Sequence, residues 1–320
     1  MRAFVNPKAY TNGLWQKNQV VQVDIAKTRV LSVAEALLVT FLWSTSYILI
    51  KIGLEEINPL AFAAYRYAVA SLILSVPLLY QHRKRLLSLD WRRKMLFLLL
   101  GFTGYFVAQG LQFFGLYYLQ PVTVTFLLNL TPIFVLALSA LFLNELPSST
   151  QLVGIALTLC GVFVFFYDAL GGVGKVTGVL VTLVSGVGWA IYMIISRYSL
   201  SRNEESVMIL TTCSMIFGSL MLLGTTTVTG NIVAVSFNGW ILILWLGVVN
   251  TAVAFTLWNQ ALKALQVYEQ SILQNTMLIQ IALLAFVFLQ EPLDPQKVVG
   301  MVMVFMGVLI VQLRARRKKR

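Results

Sequence analysis

Trp43, Tyr47 and Lys51 recur every four residues, and Tyr105, Gln109 and Gln112 follow nearly the same spacing, so each set falls on one face of a helix. The residues between them are mostly apolar. In such a setting, rings and amides can wall in an apolar body and hydrogen-bond a polar head without titrating. A third stretch carries Thr125, Asn129 and Pro132, where the proline removes one backbone hydrogen bond and frees a carbonyl beside Asn129. Later the chain repeats the theme with Trp189, Tyr192, Thr251, Trp258, Ser271 and Asn275, with Asn250, Asn259, Gln274 and Gln280 nearby. Polar side chains inside apolar helices are costly in lipid and face a bundle interior or a wet cavity. Two plainer readings stand beside a binding role: interhelical hydrogen-bond glue for the stripes, and a structural kink for Pro132.

The elements that hold these residues are membrane spans. Of 320 residues, 58% are hydrophobic and 11% charged, and the mean hydropathy is +0.82, which does not describe a soluble surface. A spanning helix needs roughly 20 mostly apolar residues. Ten stretches qualify, near 34–52, 60–80, 95–116, 121–142, 150–167, 177–196, 207–224, 239–260, 268–289 and 297–313. The first 30 residues are polar and mixed and do not read as a cleavable signal peptide. With an even number of spans both termini share a side. Placing them in the cytoplasm puts every Lys and Arg there except Lys51, Arg66, Lys175 and Lys297, which is the positive-inside pattern. The net charge of +12 is thus expected to serve topology and anionic lipid headgroups, through the loop around 81–94 and the tail RARRKKR, rather than nucleic acid. Cys160 and Cys213 fall inside spans and read as buried packing residues.

Shifting the chain by 146 residues pairs Trp43 with Trp189, Lys51 with Arg197, Asn129 with Asn275, Glu145 with Glu291, Gly154 with Gly300 and Gly161 with Gly307, without a gap. Shared hydrophobicity would not align glutamates, asparagines and glycines. Five spans per repeat is an odd number, so the second half enters the bilayer from the opposite side, giving an inverted pair. Glu145 and Glu291 then lie at opposite faces, each before a glycine-seamed helix that it could cap, or each anchoring one repeat to the other. Gly154, Gly161, Gly300 and Gly307 read as seams for close helix packing.

Two five-span repeats, a Trp followed eight residues later by Lys or Arg in each first helix (Trp43 and Lys51; Trp189 and Arg197), Arg66 early in the second helix, Asn129 with Pro132, and the Glu-Gly-Gly ending together resemble the EamA branch of the drug/metabolite transporter superfamily. The resemblance covers about residues 34–313. The halves are not chemically symmetric, since Thr212 stands opposite Arg66 and Leu278 opposite Pro132. The resemblance implies an all-α polytopic membrane protein of ten helices in two inverted repeats. Its expected segments are a cytoplasmic tail 1–33, repeats 34–167 and 168–313, and a basic cytoplasmic tail 314–320, in a cytoplasmic or inner membrane. It also implies a carrier, in the exporting sense, for a small organic solute such as an amino acid or drug-like molecule. The expected binding residues are Trp43, Tyr47, Tyr105, Gln109, Gln112, Asn129, Trp189, Tyr192, Trp258 and Asn275. Lys51 and Arg66 are candidates for an anion contact, although basic side chains near helix ends also snorkel. A receptor without transport and a carrier of phosphorylated or nucleotide-type solutes remain open. An enzyme is not expected: the single histidine, His82, leaves no H-E-x-x-H site, and no intramembrane Asp pair offers an acid/base dyad. No cofactor or metal is expected. Oligomeric state is not fixed by the sequence.

Overall fold

The computed structural model describes residues 7–119, 121–167, 176–202, 205–289 and 294–315, with side chains from Thr28 onward except those of residues 121, 122, 285, 287–289, 314 and 315. Among these residues there is no strand. Helix α1 (Pro7–Gly53) is followed by α2 (Pro59–Leu87) and α3 (Trp91–Leu100), which runs through a π-helical stretch, Gly101–Gln109, into α4 (Gly110–Tyr118). Next come α5 (Pro121–Asn129), α6 (Thr131–Phe142) and α7 (Ser149–Phe165). The second half has α8 (Val176–Ser201), α9 (Val207–Val228), and α10 (Phe237–Gly247) leading through a second π stretch, Val248–Val253, into α11 (Ala254–Ala264). It ends with α12 (Val267–Gln274), α13 (Thr276–Leu289) and α14 (Pro295–Ala315).

Among the described residues, eight helical runs are long and apolar enough to cross a bilayer, not the ten expected. The two others are α7, whose 17 residues stand at the short end of what the hydrocarbon core requires, and the ninth stretch, which carries Glu269, Gln270, Gln274, Asn275 and Gln280 among its apolar residues and turns at Asn275 between pieces of 8 and 14 residues. Helix α1 continues the first span back to Pro7, so the segment expected to be a tail is helical from there. Exposed apolar side chains such as Leu72, Val76, Leu141, Val153, Val302 and Phe305 form the outward face, suited to lipid.

Helix starts are capped by residues legible in the sequence. Asn58 accepts from the Leu60 N–H ahead of α2, with Pro59 at the first helical position. Ser206 and Ser236 cap α9 and α10. Each cap contributes about 1 kcal/mol. Ser148 and Gln151 form a reciprocal capping box on α7, so Glu145 is not the cap of the glycine-seamed helix that follows it. Its counterpart Glu291 lies outside the described residues, as do Lys175, the expected boundary at 168 and residues 316–320 of the basic tail.

Helices α7 and α14 pack backbone to backbone. A Cβ on Gly154 would lie 2.9 Å from the Gly307 carbonyl oxygen, and one on Gly161 would lie 2.8 Å from that of Gly300. The two pairs exchange under the 146-residue shift, as a two-fold relation between the halves requires. The π stretches also correspond, since Gly101 maps to Gly247 and Gln109 to Phe255. Of the cysteines, Cys213 is buried but Cys160 is exposed on α7, a correction to the expectation that both pack inside. The outward face of α7 accounts for it.

Candidate functional site

Both halves have a broken helix, and the breaks meet. Between α5 and α6 the chain turns at Leu130, and Pro132 sits in the first turn of α6, so it starts a new helix rather than kinking a continuous one. Between α12 and α13 the break falls at Asn275 without a proline. The Asn275 side chain donates to the Asn129 backbone carbonyl at 3.1 Å, while Asn129 turns back to the Thr125 carbonyl of its own helix at 2.8 Å. The N-terminal ends of α6 and α13, which carry partial positive charge, therefore lie at one place inside the bundle.

A cleft opens beside this junction. From α1 it is lined by Trp43, Ser46, Tyr47 and Ile50, from α2 by Arg66, and from the third helical run by Ala108, Gln109 and Gln112. The broken helices contribute Leu128, Thr131, Gln274 and Met277, and α8 contributes Ser185 and Trp189. The space open to the centres of water molecules is about 40 Å³, enough for a few waters and too small for most organic solutes.

One wall is aromatic. The rings of Trp43 and Trp189 meet edge to face at 5.7 Å, and Trp43 also packs on Trp258 at 4.8 Å and Phe255 at 5.3 Å. The other wall is polar and mostly held in place. Tyr67 donates to the Gln109 carbonyl oxygen at 2.8 Å, and the Trp189 indole N–H donates to that of Gln274 at 3.0 Å. Gln112, half-buried, has no side-chain hydrogen bond to another described residue.

Arg66 is 3% exposed. Its Nε donates to the Thr251 hydroxyl at 2.6 Å and one Nη to the Asn250 carbonyl at 3.2 Å. Both acceptors belong to the second π stretch, whose register turns them toward α2 and α1. The Asn250 carbonyl takes a second donor, the Trp43 indole N–H, at 3.2 Å, and the Asn250 amide bonds back to α1 at Leu42, Thr45 and Ser46. Among the described residues no carboxylate lies within ion-pair reach of Arg66.

The ten residues expected at one lining are separated by the structure. Trp43, Tyr47, Gln109, Gln112 and Trp189 line the cleft, together with Arg66. Tyr105, Tyr192 and Trp258 lie behind it in a buried layer, where the Tyr105 and Tyr192 hydroxyls are 3.1 Å apart and Asn259 donates to Tyr192 at 2.7 Å. Asn129 and Asn275 tie the breaks together and do not line the space. Lys51 is exposed and donates to the Leu116 carbonyl at 3.3 Å, outside the cleft. Helical periodicity gives a face but not what lies in front of it. Ser46, Thr131, Ser185 and Met277 were missed, and the signal that could have found Thr131 was its position beside Pro132.

The Arg197 end of the bundle is bound shut across the halves. Arg197 Nε donates to Glu145 at 2.8 Å, with both side chains only 13% exposed. Its Nη1 reaches the carbonyls of Leu262 and Lys263 at 3.1 and 2.9 Å. The other Glu145 oxygen accepts the Val267 N–H at 2.9 Å, satisfying the start of α12 rather than α7. Beside it the buried Glu269 accepts from Arg29 at 3.1 Å and from Gln151 at 3.4 Å.

Comparison with known proteins matches this architecture. The model of the EamA-like transporter family fits residues 31–167 and again 176–313. An uncharacterised transporter of Archaeoglobus fulgidus is 27% identical over 276 residues, 86% of this chain and 96% of its own. A probable amino-acid metabolite efflux pump of Salmonella typhimurium is 26% identical over 285 residues, 86% and 92% of the two chains. A solved crystal structure superposes with a TM-score of 0.75 at 19% identity, covering 92% of this chain and 99% of its own, a likeness of fold.

Proposed function

The chain belongs to the EamA-like transporter family, and from that premise we propose that it exports a small organic solute by alternating access through the cleft between its two halves. It is a multi-pass membrane transporter and not an enzyme. The observation that supports the mechanism is the pairing of a central cleft at two helix breaks with a cross-half ion pair sealing one end. A site flanked by half-helices from two related repeats can be exposed to either side by rocking one half against the other. The ion pair holds one of the two arrangements.

Counting α7 and the broken α12–α13 as spans gives ten, in two inverted repeats with both termini in the cytoplasm, the sense favoured by the distribution of Lys and Arg. The Arg197–Glu145 end is then the inner one. The cleft residues of α1 run from Trp43 to Ile50, away from that end, which on this topology makes the arrangement the outward-facing one. Trp43, Tyr47 and Trp189 wall the solute and Gln112 meets its polar group. The relatives named as amino-acid metabolite efflux pumps make an amino acid or a derivative of one the first candidate.

The test is untargeted mass spectrometry of cytoplasm and medium from cells making the wild type or Gln112→Ala at matched membrane levels. One metabolite class depleted inside and enriched outside with the wild type, and less so with the variant, supports export through this cleft. Identical profiles for wild type and empty cells would sink the exporter reading.

A further inference from the structure

A buried guanidinium without a carboxylate is expensive, because desolvation of the charge is several kcal/mol and neutral acceptors recover only part of it. Arg66 is such a group: Thr251 and Asn250 take Nε and one Nη, the Tyr67 and Phe113 rings lie 5.6 and 6.0 Å from the guanidinium carbon, and the remaining Nη has no hydrogen-bond partner among the described residues. It lines the cleft, and none of the described cleft-lining residues is Asp or Glu. A second feature points the same way. Thr131 begins α6, a helix of 12 residues with no side-chain cap, and it lines the cleft, so the positive end of α6 lies at the edge of that space. Thr131, 2% exposed, lines the same space, and its buried hydroxyl is without a hydrogen-bond partner.

Resting on the carrier reading above, we propose that the cleft takes an organic monocarboxylate, its carboxylate held by Arg66 and the Thr131 hydroxyl and its apolar body set against Trp43 and Trp189. One unpaired cation is neutralised by one negative charge. A cation would double the buried positive charge, and a neutral solute would leave Arg66 unpaired. A dianion such as a phosphate monoester would leave a net buried negative charge. An α-amino acid fits if its ammonium finds the free Gln112 carbonyl oxygen.

Binding to purified full-length protein in nanodiscs can be read by intrinsic fluorescence, since Trp43 and Trp189 line the cleft. The probes are phenylacetate, phenylacetamide, phenethylamine and phenyl phosphate, which share an aryl body and differ in charge. In the wild type, phenylacetate is expected to bind roughly tenfold or more tightly than phenylacetamide, the gain of one charge-assisted contact. That difference should vanish in Arg66→Gln and persist, reduced, in Arg66→Lys. Equal affinity for acid and amide in the wild type overturns the assignment, as does tighter binding of the amine or of phenyl phosphate. These outcomes leave the carrier reading standing, and the wild-type comparison does not depend on a variant that folds. Absence of saturable binding by all four probes also overturns it, while export itself is judged by the metabolite profiles, which use no chosen ligand.

Discussion

Asn275 donates its side-chain amide to the backbone carbonyl of Asn129 at 3.1 Å, joining the two helix breaks at equivalent positions of the two halves. The equivalence is not reciprocal, because Asn129 spends its own amide on Thr125 in the same helix. Asn275→Ala is therefore expected to lower stability by about 1–2 kcal/mol, leaving a buried carbonyl unpaired, and to reduce export. Asn129→Ala leaves the cross-half acceptor intact and should cost about half as much or less. Thermal unfolding in detergent checks the order; equal losses would mean the cross-half bond carries no special weight.

Glu145 reaches Arg197 and the Val267 N–H, both in the other half. Glu145→Ala strands a largely buried guanidinium and one helix-start donor, a loss of about 3 kcal/mol for the sealed end. If that end opens during transport, the cost falls on one arrangement more than the other and the population shifts. Hydrogen exchange over residues 262–270 should rise sharply while α7 and α14 stay protected. A uniform rise through all helices would instead indicate general unfolding.

The repeat was legible because Glu145, Asn129 and the glycines cannot align by hydrophobicity at one offset. The cleft was legible in part. Trp43, Tyr47, Gln109, Gln112 and Trp189 line it, but periodicity could not tell them from Tyr105, Tyr192 and Trp258 one layer behind. The π stretches left no local mark, since they arise from register and not from residue type, and they place Asn250 and Thr251 against Arg66 from 184 and 185 residues away. Nor did the break at Asn275 show itself, because no proline stands there. Glu145 looked like a cap on its neighbour because sequence proximity is visible and a partner 122 residues away is not.

Gly307→Ala would put a Cβ 2.3 Å from the Thr158 hydroxyl oxygen and 2.6 Å from the Gly154 carbonyl. The second contact is backbone, so α7 and α14 must move apart. A loss of about 1–3 kcal/mol is expected. Gly224→Ala is the matched control: it is also within a helix, but its added Cβ meets nothing within 4 Å. It should be neutral or stabilising by up to about 1 kcal/mol. Paired melting curves decide the matter, and equal behaviour of the two variants would remove the seam as a stabilising feature.

A monocarboxylate held by Arg66 carries one charge across the bilayer, while the guanidinium stays with the protein. Each 100 mV is then worth about 2.3 kcal/mol, roughly a 50-fold change in the equilibrium distribution of the solute. Protein-dependent flux of phenylacetate in proteoliposomes, clamped with valinomycin and potassium and corrected for protein-free vesicles, should reverse direction with the sign of the potential. Flux of phenylacetamide should not respond. A negative interior, as across a cell membrane, then drives the anion outward, so export would need no ion gradient of its own. Flux of phenylacetate that ignores the potential would mean that its charge is balanced within the transport cycle, by a cation moving with it or by exchange for another anion, and would sink uncoupled export of the bare anion.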